Sequence, residues 1–142
     1  MAAIERARER GAAVWPQVQT RPIDISFTLD QRSLMLLTMP AWWRVASITD
    51  PAERIAAVRN NRDSLVAEMN GLAKRPRGGL GAAGFVVRQT VLENNRDLVG
   101  RTIADIAEER GCSHGDAIVD LALEEDLGTW FIRESIGHDN SP

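Results

Sequence analysis

The sequence predicts a mixed α+β chain, mainly helical with a few short strands. Three observations carry that expectation. Helix-capping signals recur, at Asp50 to Glu53, at Thr102 with Asp105, and at Ser113 with Asp116. The β-like runs are few and short: AAVW at 12–15, FVVRQTVL at 85–92 and TWFI at 129–132. Glycine and proline punctuate the chain between them, and no internal repeat appears.

Residues 2–10 read as a helix with Ile4 and Ala7 on its inner side, and Gly11 stands where a left-handed cap belongs. A helix, a glycine and an apolar strand at 12–15 make the αβ half of a parallel α/β unit. An irregular segment with Pro16 and Pro22 follows, to about Leu29. Asp30 can cap a short helix through SLMLLT, Pro40 interrupts, and AWWRVASI continues. Asp50 is a good N-cap, Pro51 suits the first helical position and Glu53 can complete a capping box. Ile55 and Val58 then face one way, and NNRDSLVAEM supplies a further helix with Leu65, Val66 and Met69 on one side.

GLAKRPRGGLGAAG at 71–84 is a loop, with five glycines and a proline in fourteen residues. It lacks the GK[ST] ending of a phosphate loop, and KRPR at 74–77 reads as solvated charge. After the strand at 85–92, Thr102 caps a helix whose inner stripe is Ile103, Ile106 and Ala107 and which Gly111 ends. Ser113 begins another, with Ala117, Ile118, Leu121 and Ala122 as its apolar face; Gly128 closes it before TWFI. The organisation expected is 1–29 helix, strand and loop; 30–70 helical; 71–84 glycine-rich loop; 85–142 strand, two helices and strand.

A length of 142 residues suits one domain or a piece of a larger one. A net charge of −3 and a pI near 5.4 argue against a nucleic-acid or acidic-membrane partner, which needs a basic stripe. The single cysteine, Cys112, excludes an internal disulfide and fits a reducing compartment. No apolar run approaches the ~20 residues that cross a bilayer. MAAIERARERG places charges where a signal peptide needs its apolar core. A cytoplasmic location is therefore expected. The chain opens directly on helix and closes on SIGHDNSP without a sealing element, and so reads as cut from something larger.

Few residues offer catalysis. A hydrolytic zinc centre takes three protein ligands plus water, and the chain has two histidines, His114 and His138. Cys112 and His114, two residues apart at a helix start, share a metal poorly; Cys112 reads as a small buried residue and His114 as a first-turn surface residue. His138, with Asp139 and Asn140, is either a free tail or a loop leaving the last strand. Glu124, Glu125 and Asp126 read as a solvated face at a helix end, and no serine has a nucleophile context. Trp42 and Trp43 point about 100° apart on a helix, giving core plus partial cover, or a lid over missing structure or an apolar ligand. The polar row Gln17, Gln19 and Arg21 after an apolar strand also has two readings: ordinary loop residues, or one wall of a ligand pocket.

RARERGAAVWPQV, TLDQRSLMLLTMPAWWRVASITDPAERIAAVRN and NRDLVGRTIADIAEERGCSHGDAIVDLALEEDLGTWF together resemble the N-acyl-D-amino-acid deacylases, the amidohydrolases that include the D-aminoacylases. RTIADIAEERG with DAIVDLALEED, matching two consecutive helices, is the most telling part. The resemblance implies a partial slice of a zinc-dependent (β/α)8 barrel with its helical insertion, carrying cap and substrate-pocket elements. The family's His-x-His motif is absent, so zinc belongs to the full-length family and no metal or catalytic residue is assigned here. Gln17, Gln19 and Arg21 would face the substrate, an N-acyl amino acid, with Arg21 a candidate partner for its carboxylate. The family's aromatic hydroxyls have no counterpart in a chain without tyrosine. The implied partner is the rest of the barrel, or a second copy through self-association; the alternative is a free-standing binding or subunit module.

Overall fold

The computed structural model describes residues 2–15, 23–72 and 81–136. Its elements run α1 (Ala2–Glu9), β1 (Ile23–Phe27), α2 (Pro40–Val45), α3 (Pro51–Asn60), α4 (Arg62–Gly71), β2 (Val86–Gln89), α5 (Ile103–Arg110), α6 (His114–Glu124) and β3 (Trp130–Ile136). Short 3-10 turns occupy Ala82–Gly84 and Glu93–Leu98. The fold is mixed α+β and mainly helical, as expected, with one three-stranded sheet among the described residues.

Local sequence sets the helix starts. Asp50 accepts a hydrogen bond from Glu53 N at 2.8 Å, and Pro51 takes the first position of α3. At α5 the capping box forms: Asp105 N donates to Thr102 Oγ1 at 3.1 Å, and Thr102 N to Asp105 Oδ2 at 3.3 Å. Gly111 ends α5 in the left-handed region, φ 62°. Asp116 N donates to Ser113 Oγ at 3.1 Å, starting α6.

The sheet has the order β1-β3-β2, and both pairings are antiparallel. Phe131 sits between Phe27 and Val87 in register, and these three with Phe85 are buried on one face. Phe27 meets Phe85 edge-on with ring centroids 5.0 Å apart. The outer edge of β2 is covered: Val87 N donates to Arg101 O at 3.0 Å, and Gly100 N to Val87 O at 2.8 Å.

Beneath the sheet the helices share the same continuous core. Leu65, Val66 and Met69 of α4, Ile103 and Ile106 of α5, and Ile118, Leu121 and Ala122 of α6 are buried in it. Trp42 is fully buried and its Nε1 donates to Leu65 O at 3.1 Å, whereas Trp43 is half-buried under the Arg32 guanidinium, 5.1 Å from the ring centroid. That is core plus partial cover. A β-carbon on Gly115 would lie 2.6 Å from Val66 O, so α4 and α6 approach more closely than any side chain there would allow.

Several expectations need correction. Residues 12–15 form no strand; they are exposed, with Trp15 stacked under Arg8 at 4.6 Å and Arg8 Nε donating to Val14 O. AAVW has one β-branched residue, and the sheet instead takes Ile23–Phe27, whose Phe27 reaches the core. The parallel αβ unit expected there gives way to antiparallel pairing. Residues 34–38 are turns, not a helix, and Asp30 is engaged by the Thr28 hydroxyl rather than capping. Of that segment Met35 and Leu36 are buried, while Leu34 and Leu37 are exposed. The strand expected at 85–92 is confined to Val86–Gln89, and β3 extends to Ile136. α6 ends at Glu124 without help from Gly128; Asp126 and Leu127 take the left-handed turn, with φ 51° and 69°.

Gly115→Ala is expected to destabilise the fold by about 1–3 kcal/mol, because the new methyl must push α4 and α6 apart. Urea denaturation checks this through a lowered midpoint at unchanged slope.

Candidate functional site

Polar chemistry gathers first where α4 meets α6. Arg62 Nε and Nη2 donate to Asp120 Oδ1 and Oδ2, both at 2.8 Å, and Nη2 also reaches Asp116 Oδ1 at 2.8 Å. Beside this fork, Asn70 Nδ2 donates to Ser113 Oγ at 3.0 Å and Gly115 N donates to Asn70 Oδ1 at 2.8 Å. The Ser113 hydroxyl donates in turn to the Asp116 carboxylate. That bond, with Arg62 adding to it against an opposing loss of hydration, holds the Asp116 carboxyl below its usual range. The Asp120 and Asp116 bonds raise Arg62 further above its ordinary value. A cation with this many fixed acceptors ties two helices together and has little freedom to meet a ligand.

A second gathering lies where α6 turns into β3. Glu125 is 3% exposed and accepts four hydrogen bonds. Val91 N (2.7 Å) and Thr129 Oγ1 (3.1 Å) meet Oε2; Leu92 N (3.2 Å) and Asn95 Nδ2 (3.0 Å) meet Oε1. The solvated-face reading of the acidic triplet is thereby corrected. Glu124 pairs with Arg110 at 2.9 Å, and Glu125 is an internal anchor. A carboxylate against the negative end of a helix dipole needs compensating donors, and that misplaced charge was the signal available in the sequence. With both oxygens engaged, Glu125 is not disposed to act as a general base.

Two surface grooves lie close to these clusters. One, of about 210 Å³, runs between the Glu93–Leu98 turn and α5, past Asn95, Asp97, Ile106 and Arg110. Its Arg110 is engaged with Glu124, and Glu109 with Arg101. The other, of about 280 Å³, separates α2 from the α3–α4 corner; Arg44, Asn61 and Ser64 line it with Ala41, Val45, Ile48 and Ala57.

The substrate-facing candidates Gln17, Gln19 and Arg21 lie outside the described residues, as do His138 and the KRPR run at 74–77. β1 starts and β3 ends at the same end of the sheet, with Ile23 facing Ile136. His114 is exposed at the start of α6 as expected, while Cys112 is half-buried rather than buried. Among the described residues no three His, Cys, Asp or Glu converge where they could hold a metal ion, and no helix is long and apolar enough to cross a membrane. Comparison with protein-family models, with curated proteins and with solved structures finds no match to this chain.

Glu125→Ala leaves four donors without their acceptor and is expected to cost about 3 kcal/mol, with Glu125→Gln costing less; urea denaturation of both variants measures it. The lowered Asp116 carboxyl stabilises the fold above the unfolded-state value, and this contribution disappears as pH falls through the folded one. The stability gap between the wild type and Asp116→Asn should therefore be constant near neutrality and shrink below about pH 4. Thermal unfolding across pH 2–7 reads this directly.

Proposed function

We propose that this chain supplies cap and substrate-pocket elements of a zinc-dependent amidohydrolase that cleaves the amide of N-acyl-D-amino acids. The carrying observation is the run RTIADIAEERG with DAIVDLALEED, which bears the resemblance and forms two consecutive, side-chain-capped helices, α5 and α6. In this reading residues 30–70 are a helical insertion over the barrel mouth, and the exposed Leu34 and Leu37 belong to its covering side. Gln17, Gln19 and Arg21 face the substrate, and Arg21 offers a fork to its carboxylate. Zinc would supply an activated water. The described residues do not fit a zinc site, so no step of the reaction is assigned to them and the metal centre belongs to other residues.

A second reading, a free-standing α+β binding or subunit module, is favoured by the continuous core that joins the sheet to α2, α4, α5 and α6. Sedimentation of the purified chain, together with zinc content and hydrolysis of N-acetyl-D-amino acids, separates the two. Self-association with neither zinc nor turnover is expected from the cap reading. A zinc-free monodisperse monomer favours the module, and stoichiometric zinc with D-specific hydrolysis overturns both.

A further inference from the structure

Two glycines of the helical layer have a plain structural reason, and a third has none. Gly111 ends α5 in the left-handed region, and Gly115 admits Val66 O at 2.6 Å from where its β-carbon would lie. Gly71 is the last residue of α4, and a β-carbon there would meet nothing within 4 Å among the described residues. Neither space nor turn geometry calls for glycine at this position, and glycine makes the last helical turn open more readily than alanine would. The residue before it is Asn70, so the one Asn-Gly pair of the sequence stands at the end of α4. A glycine amide, unshielded by a side chain, is the backbone nitrogen that most readily attacks a preceding asparagine side chain.

In the folded chain that attack is blocked. A helical ψ, about −42°, turns Gly71 N away from the Asn70 side chain, and Leu72 N, donating to Met69 O, continues the turn. The Asn70 amide is held against α6 from both ends. Its Nδ2 donates to Ser113 Oγ at 3.0 Å, and its Oδ1 accepts from Gly115 N at 2.8 Å. Met69 and Leu72, on either side of the pair, are buried.

We propose that Asn70 is a deamidation site held shut by the α4–α6 junction and reactive once the last turn of α4 opens. Gly71 N attacks Asn70 Cγ and gives up its proton; the Cγ–Nδ2 bond breaks, ammonia leaves with that proton, and a succinimide remains. Water then adds to either ring carbonyl and opens the ring, giving aspartate or isoaspartate at position 70. Neither product restores the junction. Aspartate has no N–H for Ser113 Oγ, and it sets a second carboxylate beside Asp116, which already takes the Ser113 hydroxyl proton. Isoaspartate also lengthens the backbone by one methylene between Met69 and Leu72, displacing the buried Leu72. A reversible local opening is thereby made permanent. The inference rests on neither reading of the function.

Incubation of the full chain in mildly alkaline buffer, with and without guanidinium chloride beyond the unfolding midpoint, tests it. Peptide mass spectrometry reads aspartate and isoaspartate at position 70. Conversion is expected to be at least about tenfold faster in denaturant. In the folded chain Gly71→Ala should slow it about fivefold through reduced opening alone, and Asn70→Asp should lower the denaturation midpoint. Equal rates with and without denaturant, no conversion at position 70 in denaturant, an unslowed Gly71→Ala, or an unchanged Asn70→Asp midpoint would overturn the proposal.

Discussion

The close approach of α4 and α6 at Gly115 is the constraint on which much of the helical layer depends. Only glycine lets Val66 O stand 2.6 Å from where a β-carbon would be, and the approach brings Asn70 Oδ1 within 2.8 Å of Gly115 N. It also sets the spacing at which Arg62, at the start of α4, meets Asp116 and Asp120 together. Were the helices a methyl further apart, the amide of Asn70 and the fork of Arg62 would both lose their partners, so packing and polar geometry fail together.

A common device closes the other junctions. α2 begins at Met39, which has no side chain to cap it, and Glu68 of α4 supplies the missing acceptor. Asn70 does the same for Gly115, and Glu125 does it for the backbone N–H groups of Val91 and Leu92, which leave β2 without ladder partners. In each case a side chain 26 or more residues away satisfies donors that local structure leaves open. The polar groups that look most like a site in composition are therefore largely engaged in holding elements together.

This device also marks how far the sequence could be read. Capping by near neighbours was legible in part: Asp50, the Thr102–Asp105 box and Ser113 cap as their spacing predicts, but Glu53 completes no box at α3 and Asp30 caps no helix. So were the inner faces of α4, α5 and α6, because helical periodicity names them directly. Glu125 was misread because its donors come from residues 91, 92, 95 and 129, which no window around an acidic triplet contains. The strand at Ile23–Phe27 was missed for a related reason: IDISF earns its place through Phe27 against Phe85 and Phe131, contacts that form only once β3 is between β1 and β2. Of the candidate substrate residues, Gln17, Gln19 and Arg21 follow a run that does not become a strand, so the spatial argument that they end a barrel strand has lost its local support.

What remains for function follows from polar satisfaction. A side chain already holding four hydrogen bonds, like Glu125, or three, like Arg62, would have to break structure to engage a ligand, and the cost would be comparable to a large part of a domain's stability. The exposed Arg44 carries no such cost: among the described residues no ion pair or side-chain hydrogen bond holds it. The junction groups are therefore structural, because engaging any of them would set binding against folding.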